Sequence, residues 1–263
     1  MYDEISVGSA FFSVMEISKA KLSVYSSLNN VKMRRKYGLF SVEGEKSIID
    51  LVDKFQPEAI IRVNDYKIPD IIADISKVYE VSDSQMKQLS NFTTPSQVMA
   101  IFKTPACEDT VDLDENELYV ALDGIQDPGN LGTIIRTCHW FGIRRIFASK
   151  NTVDLYNPKT VQATMGSLGK VRVTYCDLEE LFNSFSSMPV YGMLLDGRNI
   201  FEAPLQKRGF ILLGNEGSGI SSELRSKISH PLLIPPGNSD HSESLNVAIA
   251  GAITISCFAR LKY

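Results

Sequence analysis

From residue 118 to the C-terminus, short apolar runs alternate with helix-patterned stretches, and this alternation restricts the fold more than any other feature of the chain. "LYVALD" (118–123), "RIFAS" (145–149), "VRVTY" (171–175), "VYGMLLD" (190–196), "FILLG" (210–214) and "PLLIP" (231–235) read as strands. Between them "NLGTIIRTCHWFG" (130–142), "NPKTVQATMGSLG" (157–169), "LEELFNSF" (178–185) and "SSELRSKI" (221–228) read as helices, and "NVAIAGAITISCF" (246–258) ends the pattern as another. Apolar strands separated by helices require a mostly parallel sheet covered on both faces. In such sheets, ligands bind where loops leave the carboxyl ends of the strands.

The first hundred residues are patterned differently. "EKSIIDLVDKF" is helical, while "AIIRV", "VYEVS" and "VMAIF" are short apolar strands, the mixture expected of a small α/β unit. The polar, aperiodic stretch from Thr104 to Glu117 divides the two patterns, so the chain reads as a domain over 1–103, an acidic linker over 104–117 and a second domain over 118–263.

Charge bears on the partner. The net charge of −4 is a poor match for a polyanion, but residues 108–117 hold six acidic side chains, and removing those six turns −4 into +2. Lys32, Arg34, Arg35 and Lys36 gather in "KMRRKYG", which is either a solvated face or a nucleic-acid contact. Four scattered cysteines and three scattered histidines suggest no disulfide framework and no metal site. No apolar run is long enough to span a bilayer, and the acidic N-terminal stretch does not resemble a secretion signal, so a cytoplasmic location is expected.

Three loops at strand ends carry candidate chemistry. In "DPGNLGTIIRTCHW", Asp127, Pro128 and Gly129 form a turn and Asn130 is placed to cap a helix. Leu131, Ile134, Ile135 and Cys138 make its apolar face, which leaves Asn130, Thr133, Arg136, Thr137 and Trp140 on the other side. Spacing alone is also met by an ordinary capped helix with a solvated arginine. In "LLGNEGSGIS", Gly214, Gly217 and Gly219 permit a tight turn around Asn215 and Glu216. In "IPPGNSDHSESLNVAIA", Ser244 and Asn246 both stand at a helix start where one cap suffices, with Leu245, Ala248, Ile249, Ala252 and Ile253 on one face. None of these loops matches GxGxxG or a P-loop, so a dinucleotide oxidoreductase or nucleotide triphosphatase has little support.

In order and spacing, the three segments resemble the motifs of the SpoU (TrmH-like) branch of the SPOUT methyltransferases. "KMRRKYGLFSVEGEKSIIDLV" and "TTPSQVMAIF" are similar to the L30e-type RNA-binding domain that precedes the catalytic domain in members acting on 23S rRNA. The resemblance implies an α/β catalytic domain with a deep trefoil knot, a homodimer, and S-adenosylmethionine as cofactor. It implies methylation of a ribose 2'-hydroxyl, most directly in 23S rRNA. A tRNA substrate, or an RNA-binding protein without catalysis, are the alternatives. Carried over by position, Arg136 is the catalytic arginine, either a general base helped by an RNA phosphate or a group that orients that phosphate and stabilises charge on the 2'-oxygen, with Asn130, Glu216, Ser244 and Asn246 around it. Gly214, Asn215, Glu216, Gly217, Ile234 and Leu245 would hold the cofactor, and Lys32, Arg34, Arg35 and Lys36 the RNA. The segment from Ile234 to Leu245 is two residues longer than the usual family form, and Ser96 and Gln97 stand where relatives often carry Gln-Gly.

Overall fold

A computed structural model describes residues 14–73, 77–106, 112–238, 240 and 242–262. The chain divides into two compact units, Met1–Pro105 and Ala106–Tyr263.

The first unit runs β1 (Val14–Glu16), α1 (Lys19–Ser26), α2 (Val31–Tyr37), β2 (Leu39–Glu43), α3 (Glu45–Leu51), β3 (Pro57–Val63), α4 (Asp70–Ala73), β4 (Val78–Val81), α5 (Asp83–Leu89) and β5 (Val98–Lys103). Its sheet is ordered β1-β4-β3-β5-β2, with β5 antiparallel to both of its neighbours. Polar residues start the helices: Ser18, Asn30 and Ser82 each accept a backbone N–H, and Ser82 forms a reciprocal capping box with Gln85. Tyr25, Leu28, Ile61, Met99 and Ile101 fill one side of the sheet.

The second unit continues with β6 (Leu118–Leu122), α6 (Pro128–Trp140), β7 (Arg145–Ser149), α7 (Pro158–Thr164), β8 (Arg172–Cys176), α8 (Leu178–Ser184), β9 (Val190–Asn199), β10 (Gly209–Leu213), α9 (Ser222–Arg225), β11 (His230–Leu233) and α10 (Val247–Ala259). Its strands lie in the order β11-β9-β10-β6-β7-β8, and every pairing is parallel. Every residue of β10 is buried, as expected of a strand with covered faces on both sides. From β6 the chain moves outward to β7, whereas from β10 it moves the opposite way to β11. The sheet therefore has a switch point between two adjacent strands, where diverging loops leave a crevice.

Three details depart from the sequence pattern. The helix over 157–169 breaks at Met165 and Gly166, which take left-handed backbone (φ 47° and 84°), and only a short 3-10 turn follows. β9 runs on to Asn199, because its second half pairs with β11 beyond a register shift. On α10 the buried face is Val247, Ala248, Gly251, Thr254, Ile255 and Phe258. Leu245 and Ile249, expected on the apolar face with Ala248, are instead 48% and 51% exposed. A helix that is apolar nearly all round gives periodicity no means of choosing the inward side.

Candidate active site

The first loop at the switch point enters α6 by a cap three residues earlier than the sequence pattern suggested. Asp127, not Asn130, is the N-cap: its Oδ1 accepts from the Asn130 backbone N–H at 2.8 Å, with Pro128 at the first helical position. Proline is suited to that position because its fixed φ is helical and its missing N–H would have no partner there. Asn130 is thereby moved into the first turn with its side-chain amide released for other contacts.

Those contacts reach two distant segments. Asn130 Nδ2 donates to Glu216 Oε1 at 3.0 Å, and Asn130 Oδ1 accepts from Asn246 Nδ2 at 2.9 Å. Asn246 is also the N-cap of α10, its Oδ1 accepting from the backbone N–H groups of Ala248 (2.9 Å) and Ile249 (3.3 Å). One amide thus caps a helix and joins the cluster. Ser244, the other cap candidate, is exposed, and its carbonyl accepts from the Ser242 hydroxyl.

Glu216 is held by its carboxylate. Besides Asn130, it accepts from the backbone N–H groups of Gln126 and Asp127, both at 3.2 Å. Partial burial pushes the carboxyl up, but the bonds from Asn130 and the backbone outweigh it and hold the group below its usual 4.5. A depressed pKa means that ionised Glu216 stabilises the fold above the ordinary carboxylate range, and that this contribution is lost as pH falls through the lowered value. Urea unfolding of wild type and Glu216→Gln should therefore differ by a constant amount from neutral pH down to about 4.5, with the difference shrinking at more acidic pH. A constant difference across the whole acid range would show that the carboxylate charge is not what the network holds.

The turn that carries Glu216 is closed by reciprocal backbone bonds between Asn215 and Gly219 (2.9 and 3.0 Å). Asn215 Oδ1 accepts from the N–H groups of Gly217 and Ser218, and its Nδ2 donates to the Gly124 carbonyl at 2.6 Å. Gly214 has no room for a side chain, since a Cβ there would lie 2.3 Å from the Gly219 carbonyl carbon and 2.4 Å from the Ile220 nitrogen. Gly217 and Gly219 face the opposite condition: a Cβ on Gly217 meets only Asn215 Oδ1 at 3.6 Å, and one on Gly219 meets nothing within 4 Å.

Two contributors were not singled out from sequence. Asp123, 7% exposed at the end of β6, accepts from the Ser221 N–H at 2.8 Å and so ties the first loop to the second. Gln126 Nε2 donates to the carbonyls of Gly124 and Asn151. An acidic residue ending an apolar strand ahead of a glycine is the signal that could have marked Asp123.

Arg136 is not part of the cluster. It lies on the exposed side of α6 with Thr133 and Trp140, and makes no hydrogen bond or ion pair among the described residues. Ile234 follows β11 directly and is half-buried, and Leu245 precedes Asn246. Among the described residues there is no group of His, Cys, Asp or Glu that could hold a metal ion, and no helix long and apolar enough to cross a membrane.

In the basic stretch of the first unit, Lys32, Arg35 and Lys36 are exposed, but Arg34 is 4% exposed. Its guanidinium donates to the carbonyls of Leu28 (2.7 Å) and Asn29 (3.0 Å), which corrects its expected role as an RNA contact: the side chain is consumed in tying α2 to the preceding turn. Arg34→Ala should cost about 2 kcal/mol in unfolding free energy through lost charge-assisted bonds. Arg35→Ala, which removes an exposed side chain from the same helix, should leave stability within about 0.5 kcal/mol.

A parallel α/β sheet whose switch point carries hydrogen-bonded loops from β6, β10 and β11 defines the class of site. Residues 117–256 match the SpoU rRNA Methylase family, and residues 20–100 match the MRM3-like substrate binding domain. The first match covers more than half of the chain, and the chain belongs to the SpoU family. It is 28% identical over 245 residues to the 23S rRNA (guanosine(2553)-2'-O)-methyltransferase RlmP of Bacillus subtilis, covering 89% of this chain and 94% of the relative. A TrmH-family structure from Porphyromonas gingivalis is 35% identical with a TM-score of 0.81, covering 94% of this chain and all of that one. An AdoMet-bound rRNA methyltransferase from Sinorhizobium meliloti is 27% identical with a TM-score of 0.83, covering 95% and 99% of the two chains.

Proposed function

We propose that this protein is an S-adenosylmethionine-dependent methyltransferase that modifies a ribose 2'-hydroxyl in 23S rRNA. The observation that carries this is the Glu216–Asn130–Asn246 chain of hydrogen bonds, which draws all three motif segments to the switch point of the sheet. Relatives named as 23S rRNA 2'-O-methyltransferases support the substrate.

The chain's own residues fit the cofactor. Open space beside Gly217 and Gly219, the exposed side chain of Leu245 and the half-buried Ile234 suit a flat ring that needs apolar faces and close backbone approach. Gly214, Asn215 and Glu216 would shape the rest of that pocket. S-adenosylmethionine supplies a methyl group on a sulfonium, a leaving group that departs without help from an acid. The protein has then to place the hydroxyl in line and stabilise charge on its oxygen while the proton passes to solvent water. Glu216 is a poor base, because its carboxylate is already engaged by three N–H donors. We assign it, with Asn130 and Asn246, to positioning. Arg136 carries five N–H donors and no acceptor, so its part is to hold an RNA phosphate and stabilise negative charge on the 2'-oxygen. Ser244 would contact the ribose.

Residues 1–103 would serve as the RNA-binding domain, with Lys32, Arg35 and Lys36 toward the phosphates, 104–117 as a linker and 118–263 as the catalytic domain. The half-exposed Ile249 on α10 would be covered in a homodimer. We read the C-terminal segment as threaded into the trefoil knot of SPOUT enzymes, and the protein as cytoplasmic. The test of substrate is transfer of tritium from labelled S-adenosylmethionine to purified 23S rRNA, 16S rRNA and bulk tRNA. Label in 23S rRNA is the expected result, and label confined to tRNA would overturn the assignment.

A further inference from the structure

Gln126 follows β6, which lies between β10 and β7 in the sheet, and it bonds to the loops of both neighbours. Its backbone N–H donates to Glu216 Oε2 at 3.2 Å, in the loop after β10. Its side chain turns to the loop after β7, where Nε2 donates to the Asn151 carbonyl at 2.6 Å, and the same Nε2 donates to the Gly124 carbonyl at 3.2 Å. The residue is exposed, and an exposed glutamine that keeps one conformation gives up rotamer freedom for the bonds it makes.

The loop after β7 is a fixed anchor. Ser149 Oγ accepts from the Gly124 N–H at 2.7 Å, the Val153 N–H donates to the Ile125 carbonyl at 2.8 Å, and Thr152 Oγ1 donates to the Leu122 carbonyl at 3.3 Å. Gly124 has left-handed backbone (φ 69°), and a Cβ on it would stand 3.0 Å from Asn151 Nδ2, so the two loops lie against each other. Pinned on this side, the segment presents the N–H groups of Gln126 and Asp127 to Glu216.

The placement of Glu216 decides the orientation of the amides beyond it. An ionised carboxylate only accepts, so the Asn130 amide turns its NH2 toward Glu216 and its oxygen toward the Asn246 NH2. Each bond in such a chain holds the next.

We propose that Gln126 is a positioning residue: its side-chain bond to the loop after β7 aims the backbone N–H groups that hold Glu216 and, through it, the Asn130–Asn246 pair. This rests on the RNA methyltransferase function above, and it brings a segment outside the three motif loops into the framework of the active site.

The test is a double-mutant cycle in the full-length protein, read by single-turnover transfer from labelled S-adenosylmethionine to a 23S rRNA transcript at saturating cofactor. Gln126→Ala should slow transfer by about 10- to 100-fold. Gln126→Met, which keeps the side-chain length and loses the donors, should slow it as much. In a Glu216→Gln background the same substitutions should slow transfer by less than about threefold further, because the group through which they act is already gone. Melting temperature should be unchanged. Independently of RNA, the carboxyl-carbon resonance of Glu216 should titrate below the usual carboxylate range in wild type and move up in both Gln126 variants. Wild-type rates in both variants, a loss of equal size in the two Glu216 backgrounds, or an unmoved titration would each overturn the proposal. So would a rate loss that follows a lowered melting temperature, which would make the bond one of fold stability. A wild type that methylates no RNA fails the function proposed above, while the titration still decides whether Gln126 holds Glu216.

Discussion

Replacing Arg136 with alanine should lower the rate of methyl transfer by about 100-fold or more and leave the binding of S-adenosylmethionine unchanged. The side chain is exposed, and it makes no hydrogen bond or ion pair among the described residues, so its loss leaves no buried group without a partner. Alanine is also the better helix former. The expected stability change is therefore within about 0.5 kcal/mol. A loss of rate without a loss of fold or cofactor binding is the signature of a group that acts only on the reacting RNA. Single-turnover transfer at saturating cofactor, combined with calorimetric titration of the cofactor, separates the two effects. A variant that transfers at the wild-type rate would remove Arg136 from the chemistry.

The second large effect is expected at Gly214. A Cβ at this position would stand 2.3–2.6 Å from three backbone atoms of Gly219 and Ile220, and backbone cannot move aside as a side-chain tip can. Gly214→Ala must therefore displace the whole turn, at a cost of about 1–3 kcal/mol in stability. The displaced turn carries Glu216, so the bonds to Asn130, Gln126 and Asp127 are strained together, and cofactor affinity should fall by more than about tenfold. Gly217→Ala is the informative companion. With only Asn215 Oδ1 at 3.6 Å from its Cβ, it should fold normally yet bind the cofactor more weakly, because the methyl group enters space assigned to the ligand. Equal cofactor affinity in wild type and Gly217→Ala would place the ligand elsewhere.

Much of this architecture is legible in the residues. The strands of the parallel sheet were placed to within a few residues by apolar runs, since strands buried on both faces need no finer pattern. The three loops were marked by turn and capping residues at strand ends. The hydrogen bonds between them were not visible, because Asn130 meets Glu216 across 86 positions and Asn246 across 116. Local pattern carries no record of such distant pairing. For the same reason it could not show that Asp127 would take the cap and leave the Asn130 amide to bridge the other two loops. Arg34 illustrates a further limit: four basic residues in five positions look alike in sequence, and only the path of the preceding turn shows which one turns inward to the carbonyls of Leu28 and Asn29. On α10, uniform apolarity left the buried face to be chosen by packing against α6 and β10.

Methyl transfer by this protein goes to a ribose oxygen and not to a base. The most direct test is to label 23S rRNA with the purified protein and tritiated S-adenosylmethionine, and then to hydrolyse the product completely in alkali. A 2'-O-methyl group blocks cleavage of its own phosphodiester, so the account predicts label in alkali-resistant dinucleotides, absent when Arg136→Ala replaces the wild type. Label recovered in mononucleotides, which would place the methyl group on a base, would contradict it.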